Sequence, residues 1–353
     1  MNSADLLHAP ELSSENPDHA GATSIEGKRQ FADYFVSIRD QVELDYYFES
    51  DQTTSAVERS NAFLKAVIAP ALGQSVEDPE RFYQTFGRLM RWAWLSLSVG
   101  IYDDDIRKIA DAAKRLHMAQ VNTVDITWKH AMDCVPRGGL IVEIGTGRGN
   151  SIARLAQLRP DVQIVTITIS PEQAAIAKGI VNRLGTNNIE VRRGDMLDPA
   201  TTADLIGQAN AVGAIEVAGH FPIEKKAEGI HLMSQMLQPG GSISMVDTAE
   251  DDATKLPSLL ESYYTNQSWY FGTHEIYQKA LETAEIDIVA YTDYTANILQ
   301  TFTDTTQVLR QHRSQLKSEF GWVMSRLWPE IPATAYYQTV KQIDYVHILG
   351  IKR

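Results

Sequence analysis

Gly138-Gly139-Leu140-Ile141-Val142-Glu143-Ile144-Gly145-Thr146-Gly147-Arg148-Gly149-Asn150-Ser151 is an apolar run that ends near an acid and breaks into three glycines at alternate positions. A helix-like pattern follows from Ser151 to Leu158. Together they read as a buried strand handing over to a helix across a loop that a ligand approaches closely. Gly145, Gly147 and Gly149 carry no Cβ, so a ligand can lie against the backbone and the chain can take left-handed angles there.

Outward from this turn, the C-terminal side has the rhythm strand, helix, strand. Candidate strands are Leu140 to Ile144, Val162 to Ile169, Ile189 to Arg193, Ala211 to Glu216, Gly241 to Asp247, Ile286 to Asp293 and Asp344 to Ile351. Helical patterns separate the first five, as right-handed crossovers of a parallel sheet require. Two excursions, at about 250–284 and 301–342, are expected to form helical lids. The first carries Tyr263, Tyr264, Trp269, Tyr270 and Phe271; the second carries Arg310, His312, Arg313, Trp322 and Trp328.

The N-terminal side reads differently. Residues 1–27 lack periodicity and are expected to be a mobile tail. Residues 28–136 are patterned as a helical cap: Phe31, Tyr34, Phe35 and Ile38 recur at helical spacing, as do Phe63, Ala66 and Val67, and then Ile106, Ile109, Ala113 and Leu116 behind three aspartates. The aromatic run Arg91-Trp92-Ala93-Trp94 and the following Leu95 to Tyr102 read as helix packing or as a wall of an apolar pocket.

Composition narrows the function. A chain of 353 residues with 44% hydrophobic content can bury a sizeable core, and a formal charge of −13 argues against a general nucleic-acid binder. The single cysteine, Cys134, excludes an internal disulfide and a cysteine-rich zinc site, and no metal site is expected. No signal-peptide pattern opens the chain and no run is long enough to span a bilayer, so a soluble cytoplasmic protein is the simplest expectation. Oligomeric state is left open, a homo-oligomer included.

The turn departs from two phosphate-binding patterns. Its third glycine falls one place early for a dinucleotide fingerprint, and the next strand ends Thr166-Ile167-Thr168-Ile169-Ser170 without the acid that would hold a ribose. The Gly-Lys-Ser/Thr of a P-loop is absent.

Val142 to Gly149 resembles the first motif of the S-adenosylmethionine-dependent methyltransferases. Thr166-Ile167-Thr168-Ile169-Ser170-Pro171-Glu172-Gln173 is similar to the second-strand signature of the branch containing cyclopropane fatty-acid synthases and the quinone, sugar and terpenoid methyltransferases. Gly194-Asp195-Met196, Glu216 through His220, Gln238-Pro239-Gly240-Gly241 and the final strand also look like that branch, and the likeness extends from about Leu97 to Arg353. It implies an α/β fold with a Rossmann-like seven-stranded, mostly parallel sheet flanked by helices, spanning 137–353.

It further implies S-adenosyl-L-methionine held by Glu143, Gly145, Gly147, Gly149, Ser170, Gln173, Gly194, Asp195 and Met196. Glu143 would accept from the ammonium, Gln173 would face the ribose hydroxyls, Asp195 would accept from the adenine amino group, and Met196 would pack on or beside the ring. Glu216 and His220 are the candidate catalytic groups, because an acid at the carboxyl end of a central parallel strand sits where open sheets bind ligands. Tyr264, Trp269 and Tyr270 are candidate pocket walls that would stabilise a cation, and Arg310 and Arg313 are candidates for an anionic substrate group. The expected activity is methyl transfer to a small, largely apolar metabolite, including C-methylation of an isoprenoid alkene. Transfer to oxygen or nitrogen is the alternative, together with a cyclase or rearrangement enzyme that binds the cofactor without transferring methyl.

Overall fold

The computed structural model describes residues 19–50, 55–58, 60–61, 87–250, 269–330, 332 and 342–353. Its strands are β1 Leu140–Ile144, β2 Gln163–Thr168, β3 Ile189–Arg193, β4 Ala209–Ile215, β5 Leu237–Glu250, β6 Gly272–Thr273, β7 Ile286–Asp293 and β8 Ile343–Lys352. They form one sheet in the order β3-β2-β1-β4-β5-β8-β7, with β6 beside β5. All pairings are parallel except those of β8, which runs antiparallel to β5 and to β7. The seven strands expected from sequence are all present, and the direction in which the chain winds reverses between β1 and β4. Such a switch point leaves a crevice at the carboxyl ends of the strands.

The main helices are α1 Ile25–Ser50, α2 Ala112–Cys134, α3 Asn150–Leu158, α4 Pro171–Leu184, α5 Lys226–Met236, α6 His274–Thr283, α7 Ala296–Gln311 and α8 Arg313–Leu327. Alternation along the strands divides the core into two layers. Ile141, Ile164 and Ala211 pack with Trp128, Ile152 and Leu155 of α2 and α3. Val142, Val165 and Val212 pack on the opposite side with Ile230, Met233, Tyr277 and Leu281 of α5 and α6.

Three boundaries differ from expectation. Helix extends into the tail, with a turn at His19–Thr23 and α1 starting at Ile25, because Ser24 Oγ accepts the Gly27 amide at 3.1 Å. The helical pattern after Asp103 is split: Asp103 caps a short helix at Asp104–Arg107 and Asp111 caps α2. Helix α2 is no separate cap but part of the layer on the sheet. Gly213 of β4 leaves room there for the buried Trp128 ring, whose Cη2 would lie 2.5 Å from an added Cβ. Truncating Trp128 to alanine is expected to cost about 3–5 kcal/mol.

The described parts of the excursions after β5 and β7, 269–284 and 301–330, are likewise built into the fold. Helix α6 is the crossover from β5 to the parallel β7, and its Tyr277, Ala280 and Leu281 are buried. Helices α7 and α8 bury Val308, Leu309, Leu316 and Phe320 against Leu89, Met90 and Trp94. The expected helix around Phe63, Ala66 and Val67 lies outside the described residues, as do Tyr263 and Tyr264.

Candidate active site

The three glycines of the first turn do different work. All have positive φ: 81° at Gly145, 53° at Gly147 and 80° at Gly149. A Cβ on Gly145 would come within 2.2 Å of Val217 Cγ2, and one on Gly149 within 3.4 Å of the Ala177 backbone, so these two permit close packing. A Cβ on Gly147 would meet nothing within 4 Å, which marks it as the glycine beside open space. Glu143, at 2% exposure, accepts from Thr166 Oγ1 at 2.8 Å. Burial pushes its carboxyl up to about 7, opposed by hydrogen bonds from Ser151 and Thr166.

The next two turns follow along the same edge. Ser170 caps α4, its Oγ accepting the Gln173 amide at 3.3 Å. Thr168 Oγ1 donates to Gln173 Oε1 at 2.9 Å, which leaves the Gln173 NH2 group as the donor for a ligand. Between them Ile169 is 67% exposed, an apolar surface at a strand end that the sequence reading passed over. Asp195 is exposed, and its Oδ1 accepts the Leu197 amide at 2.9 Å. Met196 is 4% exposed and belongs to the core with Ile144, Val165 and Ile167, so it anchors the turn from which Asp195 projects. A Cβ on Gly194 would clash with Thr201 Cγ2 at 2.6 Å, a packing requirement.

Glu216 directly follows β4 with φ 55°, a left-handed angle that costs a non-glycine residue about 1 kcal/mol. Its Oε1 accepts from the Val99 amide at 2.5 Å and from the Tyr345 hydroxyl at 2.9 Å. Burial pushes its carboxyl up to about 7, those two hydrogen bonds pull it down, and Asp247 pushes it further up. Val99 is delivered by an irregular stretch pinned to α2. Gln120 accepts from the Leu95 amide at 2.8 Å and donates to Ser98 O at 2.7 Å, while Thr123 Oγ1 donates to Val99 O at 2.9 Å. The aromatic run before Val99 is therefore both core and site scaffold.

Two buried charges hold the loop after Glu216. Lys226 Nζ donates to Ala218 O at 2.5 Å, and the Gly219 amide donates to Asp247 Oδ2 at 3.1 Å. Burial lowers the Lys226 ammonium to about 8 and raises the Asp247 carboxyl, with each countering the other's shift. Trp269 stands edge-on to the His220 ring at 4.4 Å, packs where Gly219 has no side chain, and donates to Thr248 Oγ1 at 3.3 Å. The Tyr270 amide donates to Gly219 O at 2.6 Å. Glu216, His220, Trp269 and Tyr270 thus share one neighbourhood, whereas Tyr264 lies outside the described residues.

Arg310 and Arg313 belong to two helices, not one, and both pair with Glu330. The break falls at His312, whose φ of −95° and ψ of 19° end α7. Val99, Lys226, Asp247 and Tyr345 escaped the sequence reading. Val99 and Tyr345 lie in the entry segment and final strand that resemble the branch, but their contacts to Glu216, like that of Asp247 to Gly219, join residues far apart in sequence, and Lys226 folds back on Ala218 from the following helix.

The open space at Gly147, the buried acid at Glu143 and the presented carboxylate of Asp195 fit a ligand that has both an ammonium and an adenine. The profile of the mycolic acid cyclopropane synthetase family matches residues 102–348, well over half of the chain. A tRNA (guanine-N(7)-)-methyltransferase of Corynebacterium efficiens is 28% identical over 128 residues, covering 34% of this chain and 50% of that protein. The chain therefore spans about half the length of that curated relative. Among solved structures, the cyclopropane synthase MmaA2 from Mycobacterium tuberculosis is similar with a TM-score of 0.62 at 14% identity, covering 86% of this chain and 100% of that one. The geranyl diphosphate C-methyltransferase from Streptomyces coelicolor A3(2) has a TM-score of 0.56 at 15% identity, covering 72% and 87%. Identities this low show the shared fold alone, and the profile match supplies the rest: the chain belongs to the mycolic acid cyclopropane synthetase family of S-adenosylmethionine-dependent methyltransferases.

Proposed function

We propose that this chain methylates an alkene carbon of a small, largely apolar, isoprenoid-like metabolite. The observation that carries the reading is Glu216, a carboxylate at the switch-point edge, oriented by the Val99 amide and the Tyr345 hydroxyl and raised by burial to about 7. When bound, S-adenosylmethionine supplies an electrophilic methyl group. Adding a methyl to an alkene leaves a positive charge on the neighbouring carbon, and loss of a proton from an adjacent carbon restores the double bond. Glu216 takes that proton, and a carboxylate near neutrality is suited to do so. The ring of Trp269, edge-on to His220 in the same loop, would shelter the transient charge, with Tyr270 next to it in the chain. The similarly folded geranyl diphosphate C-methyltransferase lends the reading support by analogy.

Oxygen or nitrogen methylation is the second reading, favoured by His220, whose ring stands beside Trp269 in the Glu216 loop. A mass-spectrometric assay with methyl-labelled cofactor and a panel of isoprenoid diphosphates and phenols separates the two. The expected product carries the label on carbon, and Glu216→Gln lowers the single-turnover rate by about 10²–10⁴-fold with cofactor affinity retained. A label on oxygen or nitrogen, or wild-type turnover by Glu216→Gln, overturns the proposal.

A further inference from the structure

Arg148 stands between Gly147 and Gly149, yet its side chain is 3% exposed and bonds away from the turn. Its Nε lies 3.3 Å from Glu43 Oε1 on α1, Nη1 donates to Trp94 O at 3.2 Å, and Nη2 donates to Gly87 O. One turn after Glu43, the Tyr47 hydroxyl donates to Glu172 Oε1 at 2.6 Å, and Glu172 directly precedes Gln173. Helix α1 also lies close against α4, since a Cβ on Gly179 would meet Val42 Cγ1 at 2.6 Å. A single face of α1 therefore grips both the glycine turn and the start of the helix that carries Gln173.

We propose that Glu43 and Tyr47 are positioning residues for the cofactor, coupling the docking of α1 to the arrangement of the two turns through Arg148 and Glu172. The proposal rests on the reading that Gly147 and Gln173 contact S-adenosylmethionine. Among the described residues, both Glu43 oxygens and Glu172 Oε2 are buried without a hydrogen-bond donor. Glu43 lies between two buried cations, Arg148 Nε at 3.3 Å and Arg39 Nε at 4.0 Å, without an aligned donor, so its energy depends on where those guanidiniums sit. Helix α1 precedes the span matched to the family, 102–348, whereas Arg148 and Glu172, which it holds, lie within it. Coupling of this kind is reciprocal: whatever orders the turns must also fasten α1.

The test uses S-adenosylhomocysteine as probe, with its affinity measured by titration calorimetry and amide hydrogen exchange followed over residues 25–50. In the wild type the probe should slow exchange across α1. Glu43→Gln should weaken the probe about ten-fold and remove the slowing. Tyr47→Phe leaves Arg148 untouched and should also weaken it, which keeps the proposal open to test if Glu43→Gln misfolds. Wild-type binding without any change in α1 exchange, or wild-type affinity in a folded variant, overturns the coupling alone. No probe binding by the wild type, or undiminished binding by Gly147→Val, overturns the cofactor assignment beneath it.

Discussion

Tyr345→Phe isolates the hydroxyl that holds Glu216. The phenylalanine ring preserves the buried volume next to Val99 and Val246, so the change is confined to one donor. A hydrogen bond to a charged group is worth about 1.5–3 kcal/mol, and one pKa unit corresponds to about 1.4 kcal/mol. Removing the donor destabilises the ionised carboxylate and moves its titration up by about 1–2 units. From a starting point of about 7, the wild-type carboxyl is half ionised at neutrality. The variant would be ionised to about one part in ten to one in a hundred, which lowers the rate near neutrality by about 5- to 50-fold. Because the base must be ionised to accept a proton, the loss recovers as pH rises, and by about pH 10 the variant approaches the wild-type plateau. Single-turnover rates across the pH range provide the measurement. A loss equal at every pH, or an acid limb that moves down, would refute the assignment of Tyr345 to the acidity of Glu216.

The glycine turn offers a paired comparison. Gly147→Ala is expected to weaken S-adenosylmethionine binding while leaving the melting temperature within a few degrees, whereas Gly145→Ala, with its Cβ 2.2 Å from Val217, is expected to lower stability itself. Calorimetric titration and thermal melts on both variants read the difference. Glu143 holds a proton in the folded state up to about 7 against 4.5 for a solvated glutamate, so the folded chain binds more protons than the unfolded one in that window. Stability therefore falls as pH rises through it, by about 3 kcal/mol at most, and Glu143→Gln should flatten the decline in urea midpoints. Lys226→Met removes the donor to Ala218 O and should cost about 1–3 kcal/mol of stability as well as turnover. A melting temperature and rate equal to wild type would show that the loop does not need it.

The strand pattern was readable because each strand combines a short apolar run with turn residues at its ends, and β1, β3 and β7 fall at the positions the pattern indicates. Helix boundaries were less legible. Ser24 and Asp111 are local caps whose effect depends on where the backbone turns, and so they split or extended helices that periodicity alone ran together or began late. Within the first expected lid, the described part runs into α6, and a parallel crossover from β5 to β7 requires such a packed helix at that point, a demand of topology that the aromatic residues before it do not spell out.

By itself the sequence determined the strand–turn–helix at Gly145 to Gly149, the order of the parallel strands' motifs and the presence of an acid at the end of β4, since each is written in contiguous residues. Only the tertiary structure decided which glycine faces open space, that Met196 is core while Asp195 is presented, and that Arg310 and Arg313 are engaged with Glu330. It alone brought Val99 and Tyr345 to Glu216 and placed Lys226 and Asp247 beneath the loop that follows. The reason is physical: the acidity and orientation of a buried carboxylate come from burial and from donors supplied by distant segments, and no local pattern of residues encodes which donors those will be.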